Sequence, residues 1–134
     1  MLTKQISVFI ENKRGRLAEI TRILGEGGVD MGAICVADTS DFGVLRIIAD
    51  KTDLAADLLR NNGHAVSVTD VITISVNDKP GGLATAMKAF DDCDVNIEYM
   101  YHYARKNSHE ATIIVRVDNP VEAIKKLTEY GGVL

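Results

Sequence analysis

The segment Asn77-Asp78-Lys79-Pro80-Gly81-Gly82-Leu83 carries the residue types best suited to receiving a small anion. Pro80 fixes φ, the two glycines permit a sharp turn, and Leu83 opens an apolar pattern of helical spacing. Such a turn delivers the start of a helix, whose first backbone N–H groups lack intrahelical partners and can receive a carboxylate. Upstream, Asn12-Lys13-Arg14-Gly15-Arg16-Leu17 repeats the pattern with Arg14 in the proline's place. Its two guanidinium groups also suit an anion. A plain strand-to-helix turn uses the same residues, so glycine alone does not establish a ligand.

Other reactive side chains form no comparable pattern. His64, His102 and His109 are scattered, without the close paired spacing of a structural metal site. Cys35 and Cys93 form neither a CxxC pair nor a disulfide framework and are expected to be reduced. Neither cysteine nor any serine has the context of a nucleophile elbow. Asp91, Asp92 and Asp94 suit a solvated, turn-forming helix end. No catalytic residue, metal or cofactor is therefore expected. Tyr99, Tyr101 and Tyr103 share one parity of a strand-like run, either at an interface or effector or covering a sheet beneath helices.

The two loops match because the chain is written twice. A shift of 66 lays Ile6–Met31 on Ile72–Ile97 without a gap, and six of these 26 pairs are identical, among them Lys13/Lys79, Gly15/Gly81 and Leu17/Leu83. A shift of 68 then aligns Gly43–Val66 with Ala111–Leu134, matching Asp50 with Asp118 and Gly63 with Gly131. The second copy thus gains two residues around Arg105 to His109.

Each copy reads strand, helix, strand, strand, helix, strand. Ile6, Val8 and Ile10 alternate, as do Ile72, Ile74 and Val76, which suits a sheet with one buried face. Leu17, Ile20 and Leu24, answered by Leu83, Met87 and Phe90, form the buried stripes of the first helices. Second strands start near Val29 and Val95. Asn119-Pro120 with Glu122 marks the start of a last helix, and Gly63 and Gly131 mark the ends of the last helices. The expected class is α+β: two tandem ferredoxin-like βαββαβ domains, residues 1–69 and 70–134, packed side by side. Ser67-Val68-Thr69-Asp70-Val71 reads as the short linker between them. The second copy has almost no room for its own last strand, so another chain or a segment of the first copy is expected to cover that edge.

Composition narrows the function. The chain has 134 residues, 46% hydrophobic and 25% charged, with a net charge of −4. An acidic chain lacks the basic footprint of a nucleic-acid binder. Its longest apolar run, Ala33–Ala37, is far too short to span a membrane, and Met1–Gln5 leads into an alternating segment without a signal peptide's apolar core. Neither nucleic acid nor membrane is an expected partner, and the expected location is cytoplasmic.

The Asp-Lys-Pro-Gly-Gly-Leu run, the helix after it, and the turns Val29-Asp30-Met31 and Val95-Asn96-Ile97 resemble the ACT domain of amino-acid-sensing proteins over nearly the whole chain. That resemblance implies domains paired edge to edge, with a free amino acid bound where one domain's first loop meets a neighbour's second strand. Carried onto this chain, one pocket would use Asn77, Asp78, Gly81, Gly82 and Leu83 with Asp30, Met31 and Ile34. Its twin would use Asn12, Gly15, Arg16 and Leu17 with Asn96, Ile97 and Met100. The function implied is that of a non-catalytic, allosteric amino-acid sensor, expected to be a homodimer. The alternative is an accessory subunit docked on an enzyme of amino-acid metabolism, resembling the small subunit of acetolactate synthase.

Overall fold

The computed structural model describes residues 1–38, 41–104, 109–132 and 134. The insertion expected at Arg105 to His109 thus lies almost wholly outside the described residues. Elements run β1 (Leu2–Glu11), α1 (Arg16–Glu26), β2 (Met31–Asp38), β3 (Phe42–Ala49), α2 (Thr52–Asn61), β4 (Ala65–Asn77), α3 (Gly82–Asp92), β5 (Ile97–Tyr103), β6 (Glu110–Val117) and α4 (Pro120–Tyr130). The class is α+β with a ferredoxin-like element order in each repeat. Two compact units emerge: Lys4–Thr69, and Asp70–Leu134 together with Met1–Thr3.

In the Lys4–Thr69 unit the strand order is β2-β3-β1-β4. β1 and β3 are antiparallel, with Ile6 opposite Ile47 and Val8 opposite Leu45. These four side chains share a core with Ile20, Ile23 and Leu24 of α1 and Ala55 and Leu59 of α2. Leu17 departs from its expected place. The first helical turn leaves it 42% exposed, and Ile23 completes the buried stripe instead.

In the other unit β4 pairs with β6, Ile74 opposite Ile113, and β6 with β5. Its core joins Ile72, Ile74, Ile113 and Val115 to Ala86, Ala89 and Phe90 of α3 and Leu127 of α4. Met87 is only half-buried against it. The missing last strand is supplied by the start of the chain. Thr73 N donates to Met1 O at 2.9 Å, and the Met1 amino group donates back to Thr73 O at 3.2 Å.

Two expectations about boundaries change. Ser67–Val71 is not a linker but the middle of the unbroken strand β4. Second strands start at Met31 and Ile97, two residues late, because the helix-closing turns extend through Val29 and Val95. Val29 N donates to Leu24 O and Val95 N to Phe90 O, each at 2.9 Å. Gly28 stands in the left-handed region at φ 75°, and Asp94 does the same work at φ 54°.

Candidate functional site

Both units pass from first strand to first helix through loops with the same backbone hydrogen bonds. Lys13 N donates to Glu11 O at 2.8 Å, and Lys79 N to Asn77 O at 2.9 Å. Asn12 N donates to Asp41 O and Asp78 N to His109 O, both at 3.0 Å, which ties each loop to the approach of the third strand. Gly15 and Gly81 cap α1 and α3 with φ of 90° and 86° and ψ of −11° in both. That left-handed backbone selects glycine. No side chain caps either helix, so the loops leave the first helical N–H groups without a side-chain acceptor.

The copies diverge one residue later. A β-carbon at Gly82 would collide with the carbonyl oxygen of Asn77, so this loop closes only on glycine. Arg16 holds the matching place in α1.

Each loop borders a cleft inside its own unit. One, of about 440 Å³, is lined by Ser75, Asn77, Lys79, Gly82, Thr85 and Glu110 together with Gly132. The other, of about 400 Å³, is lined at the matching positions by Phe9, Glu11, Arg16, Glu19, Phe42 and His64. Duplication has therefore kept the cleft and changed its chemistry: the second is walled mostly by small side chains, the first by charges and aromatic rings. In the first, Arg16 Nη1 lies 3.7 Å from Glu19 Oε2, and His64 Nε2 lies 3.4 Å from Glu19 Oε1. The buried His64 Nε2 makes no hydrogen bond, although Glu19 Oε1 stands 3.4 Å from it. The Lys13 ammonium, 2.7 Å from the Glu11 carboxylate and hydrogen-bonded to it, holds that carboxyl below its ordinary range.

His64 is the residue the sequence reading missed as part of a site. In sequence it is one of three scattered histidines, although it directly follows Gly63, the helix-closing glycine. That turn brings it to the same end of the sheet as the loop after β1.

Of the expected site residues, Asn12, Gly15, Arg16 and Leu17 form one loop, and Asn77, Asp78, Gly81, Gly82 and Leu83 the other. The second-strand residues sit elsewhere in each unit. α3 has 11 residues, so its ends stand about 16 Å apart at 1.5 Å per residue. Asn77–Leu83 lie at its start and Asn96 and Ile97 beyond its end. Asn96 lines a smaller cleft of about 220 Å³ with Asp118, Asn119, Glu122 and Lys126. The turn at Asp30 is closed by a clasp: Asp30 N donates to Asp50 Oδ1 at 2.9 Å and Asp50 N to Asp30 O at 3.1 Å. Met31 and Ile97 pack half-buried against their cores, while Ile34 and Met100 are exposed. No unit by itself brings its own loop and its own second-strand residues together.

Tyr99 and Tyr101 stack with ring centroids 6.5 Å apart. Tyr101 pairs with Ile114 and Tyr99 with Arg116, whereas Ile113, Val115 and Val117 face the helices. The tyrosines therefore occupy the sheet face away from α3 and α4, which removes the reading that they lie beneath the helices. Among the described residues no three His, Cys, Asp or Glu side chains converge as a metal site, and no helix is long and apolar enough to cross a membrane.

The family model for an ACT domain pair matches residues 1–129. A Bacteroides thetaiotaomicron protein of known crystal structure is 39% identical, covered over 92% of its length by 100% of this chain, with a TM-score of 0.90. The regulatory subunit of aspartate kinase from Thermus thermophilus, in its ligand-free form, is 17% identical with a TM-score of 0.68 over 96% of this chain and 93% of its own. That from Thermus flavus is 17% identical with a TM-score of 0.63 over 96% and 94%. At that identity the Thermus proteins show the fold alone. No curated protein matches the chain in sequence. Matched over nearly its whole length, with paired glycine-capped loops in a duplicated βαββαβ pattern, the chain belongs to the ACT domain pair family.

Proposed function

We propose that the chain is a non-catalytic regulatory protein that binds a free amino acid at its glycine-capped loops. The observation that carries this reading is the twin loop geometry: two helix starts, each capped by a left-handed glycine and each beside a cleft of about 400 to 440 Å³. Uncapped N–H groups at a helix start favour a carboxylate. The clefts fall in the size range of small-molecule sites, about 300–1,000 Å³. Asn12, Gly15, Arg16, Leu17, Asn77, Asp78, Gly81, Gly82 and Leu83 are the loop residues of this proposal. Asp30, Met31, Ile34, Asn96, Ile97 and Met100 enter it as the set the family places on a neighbouring domain. A ligand acts by linkage, favouring whichever arrangement binds it better and so changing contacts with a partner.

The partner reading rests on the family resemblance, and the Thermus proteins that share the fold are regulatory subunits of aspartate kinase. An enzyme of amino-acid metabolism is therefore the proposed client, and docking without an effector is the second reading. We also propose a homodimer, since the outer strand β2 carries exposed Ile34 and Val36, unusual for an unprotected edge. A thermal-shift screen against the twenty amino acids tests the first reading. A ligand at a hundredfold over its Kd adds about 2.7 kcal/mol, several degrees for a chain of this size. No shift with any of them overturns it.

A further inference from the structure

We propose that the small cleft past the C-terminal end of α3 is a separate ligand site, which takes a primary alkyl ammonium on the Asp94 carbonyl and the carboxylates of Asp94 and Asp118. The inference does not rest on the effector reading, whose loop Gly81–Leu83 lies at the other end of α3.

The duplication supplies the reason. In the Lys4–Thr69 unit the matching place already holds an ammonium: Lys51 Nζ donates to Gly28 O at 2.9 Å, beside the clasp between Asp30 and Asp50. Gly28 stands just past the end of α1, where carbonyls lack helical partners and the helix dipole favours a cation. The shifts of 66 and 68 carry Gly28 onto Asp94, Asp30 onto Asn96, Asp50 onto Asp118 and Lys51 onto Asn119. Like α1, α3 has no basic residue in its last turn. Here, however, no lysine reaches back to it. Asn119 is engaged by α4 instead, accepting from Glu122 N at 3.2 Å and donating to Glu122 Oε2 at 3.3 Å. The clasp is absent too, since among the described residues Asn96 and Asp118 form neither of its two bonds. What the first unit fills, the second leaves as a cleft of about 220 Å³.

Charge and lining name the ligand. Asp94, Asp118 and Glu122 border the cleft with one cation, Lys126. Lys126 Nζ lies 3.5 Å from Glu122 Oε1, so that pair answers itself and the carboxylates of Asp94 and Asp118 are left over. Carboxylates alone would be an ordinary solvated face. The lysine seated in the sister unit is what shows their chemistry. A metal ion does not fit, because no three His, Cys, Asp or Glu side chains converge among the described residues. An ammonium asks less, with three donors on one atom for a carbonyl and a carboxylate to meet. Val95, Val117 and Ala123 form an apolar floor, the last two 1% and 3% exposed, which suits an alkyl stem behind a charged head. A free α-amino acid would bring its own carboxylate against the acids, so this cleft and the effector loops select different molecules. Nor does the site use the Asn96 side chain, which the effector reading gives to a neighbouring domain.

Amide chemical-shift mapping of the full chain with n-butylammonium, which reproduces the stem and head of Lys51, tests this against uncharged 1-butanol. Butylammonium should shift Asp94–Asn96 and Asp118–Asn119 and leave Gly28–Asp30 unmoved, because Lys51 occupies that place. Lys51→Ala should open it and add shifts at Gly28–Asp30. Asp118→Asn should weaken binding at the second unit about fivefold, the scale of an exposed ion pair. Asn119→Lys should abolish it by filling the cleft from within. Both positions are exposed, and circular dichroism should show both variants folded. Two further probes, 1,4-diaminobutane and Nα-acetyl-lysine methylamide, separate a free amine from a partner's lysine side chain: either supports the site, and the tighter names the source. No shift at Asp94–Asn96, equal shifts with 1-butanol, or unchanged affinity in both Asp118→Asn and Asn119→Lys overturns the inference and leaves the effector reading untouched.

Discussion

The Met1 and Thr73 backbones are joined by reciprocal hydrogen bonds, Thr73 N to Met1 O at 2.9 Å and the Met1 amino group to Thr73 O at 3.2 Å. Residues 72 positions apart thereby complete the sheet of the Asp70–Leu134 unit. The hydroxyls of Thr3 and Thr73, 2.6 Å apart and partly buried, strengthen the same junction. Thr3→Val and Thr73→Val should each cost about 1 kcal/mol, because each leaves the other hydroxyl unpaired. The double variant should cost less than the sum. Urea melts of the three variants provide the check, and strict additivity would show that the hydroxyls do not interact.

Gly81 and Gly82 should respond differently to alanine. At Gly81 nothing stands within 4 Å of an added β-carbon, so the cost is that of the left-handed backbone alone, about 1–2 kcal/mol. At Gly82 the β-carbon meets the Asn77 carbonyl oxygen, and the loop must open, for about 2–3 kcal/mol. Thermal melts should rank Gly82→Ala below Gly81→Ala.

Asn119 Oδ1 accepts from Glu122 N at 3.2 Å and caps α4. Asn119→Ala should lower stability by about 1 kcal/mol, whereas Asn119→Asp should keep most of it. Chemical denaturation of both variants separates the cap from mere surface change.

Asp92 links two helices through Lys88 Nζ at 2.7 Å and the Tyr130 hydroxyl at 2.8 Å. Lys88 first, then Tyr130, holds its carboxyl below the ordinary value of 3.8. A carboxyl with a lower pKa when folded contributes stability above its unfolded value and loses it as pH falls through the folded one. Melting temperature should therefore decline on acidification below 3.8, and Asp92→Asn should flatten that limb. The change is small, since all three groups face solvent.

The alternating first strands and the glycine-capped loops were legible because each depends on neighbours within a few residues, and the repeat because the same local patterns recur at a shift of 66. Ile6, Val8 and Ile10 declare a buried sheet face by parity, and Gly15 and Gly81 declare a turn by type. The last strand of the second unit was not legible, because Met1–Thr3 is too short to show alternation and its partner is distant in sequence. Ser67–Val71 looks like a linker because Ser67, Thr69 and Asp70 are polar, yet β4 runs through them with Ser67 and Thr69 on one face and Asp70 on the other, all half-buried. Leu17 obeyed the helical period but lies in the first turn, where the stripe runs past the core. His64 carried no motif of its own. Its approach to Glu19 arises from the turn after α2, which only the folded chain brings to the loop.

The central claim is that an amino acid binds at the glycine-capped loops, and amide chemical-shift mapping during titration tests it most directly. With an amino acid that raises the melting temperature, the largest amide shifts should fall on Gly15–Leu17, Gly81–Leu83, or both. Shifts confined to other segments, or none at saturating amino acid, would contradict the account.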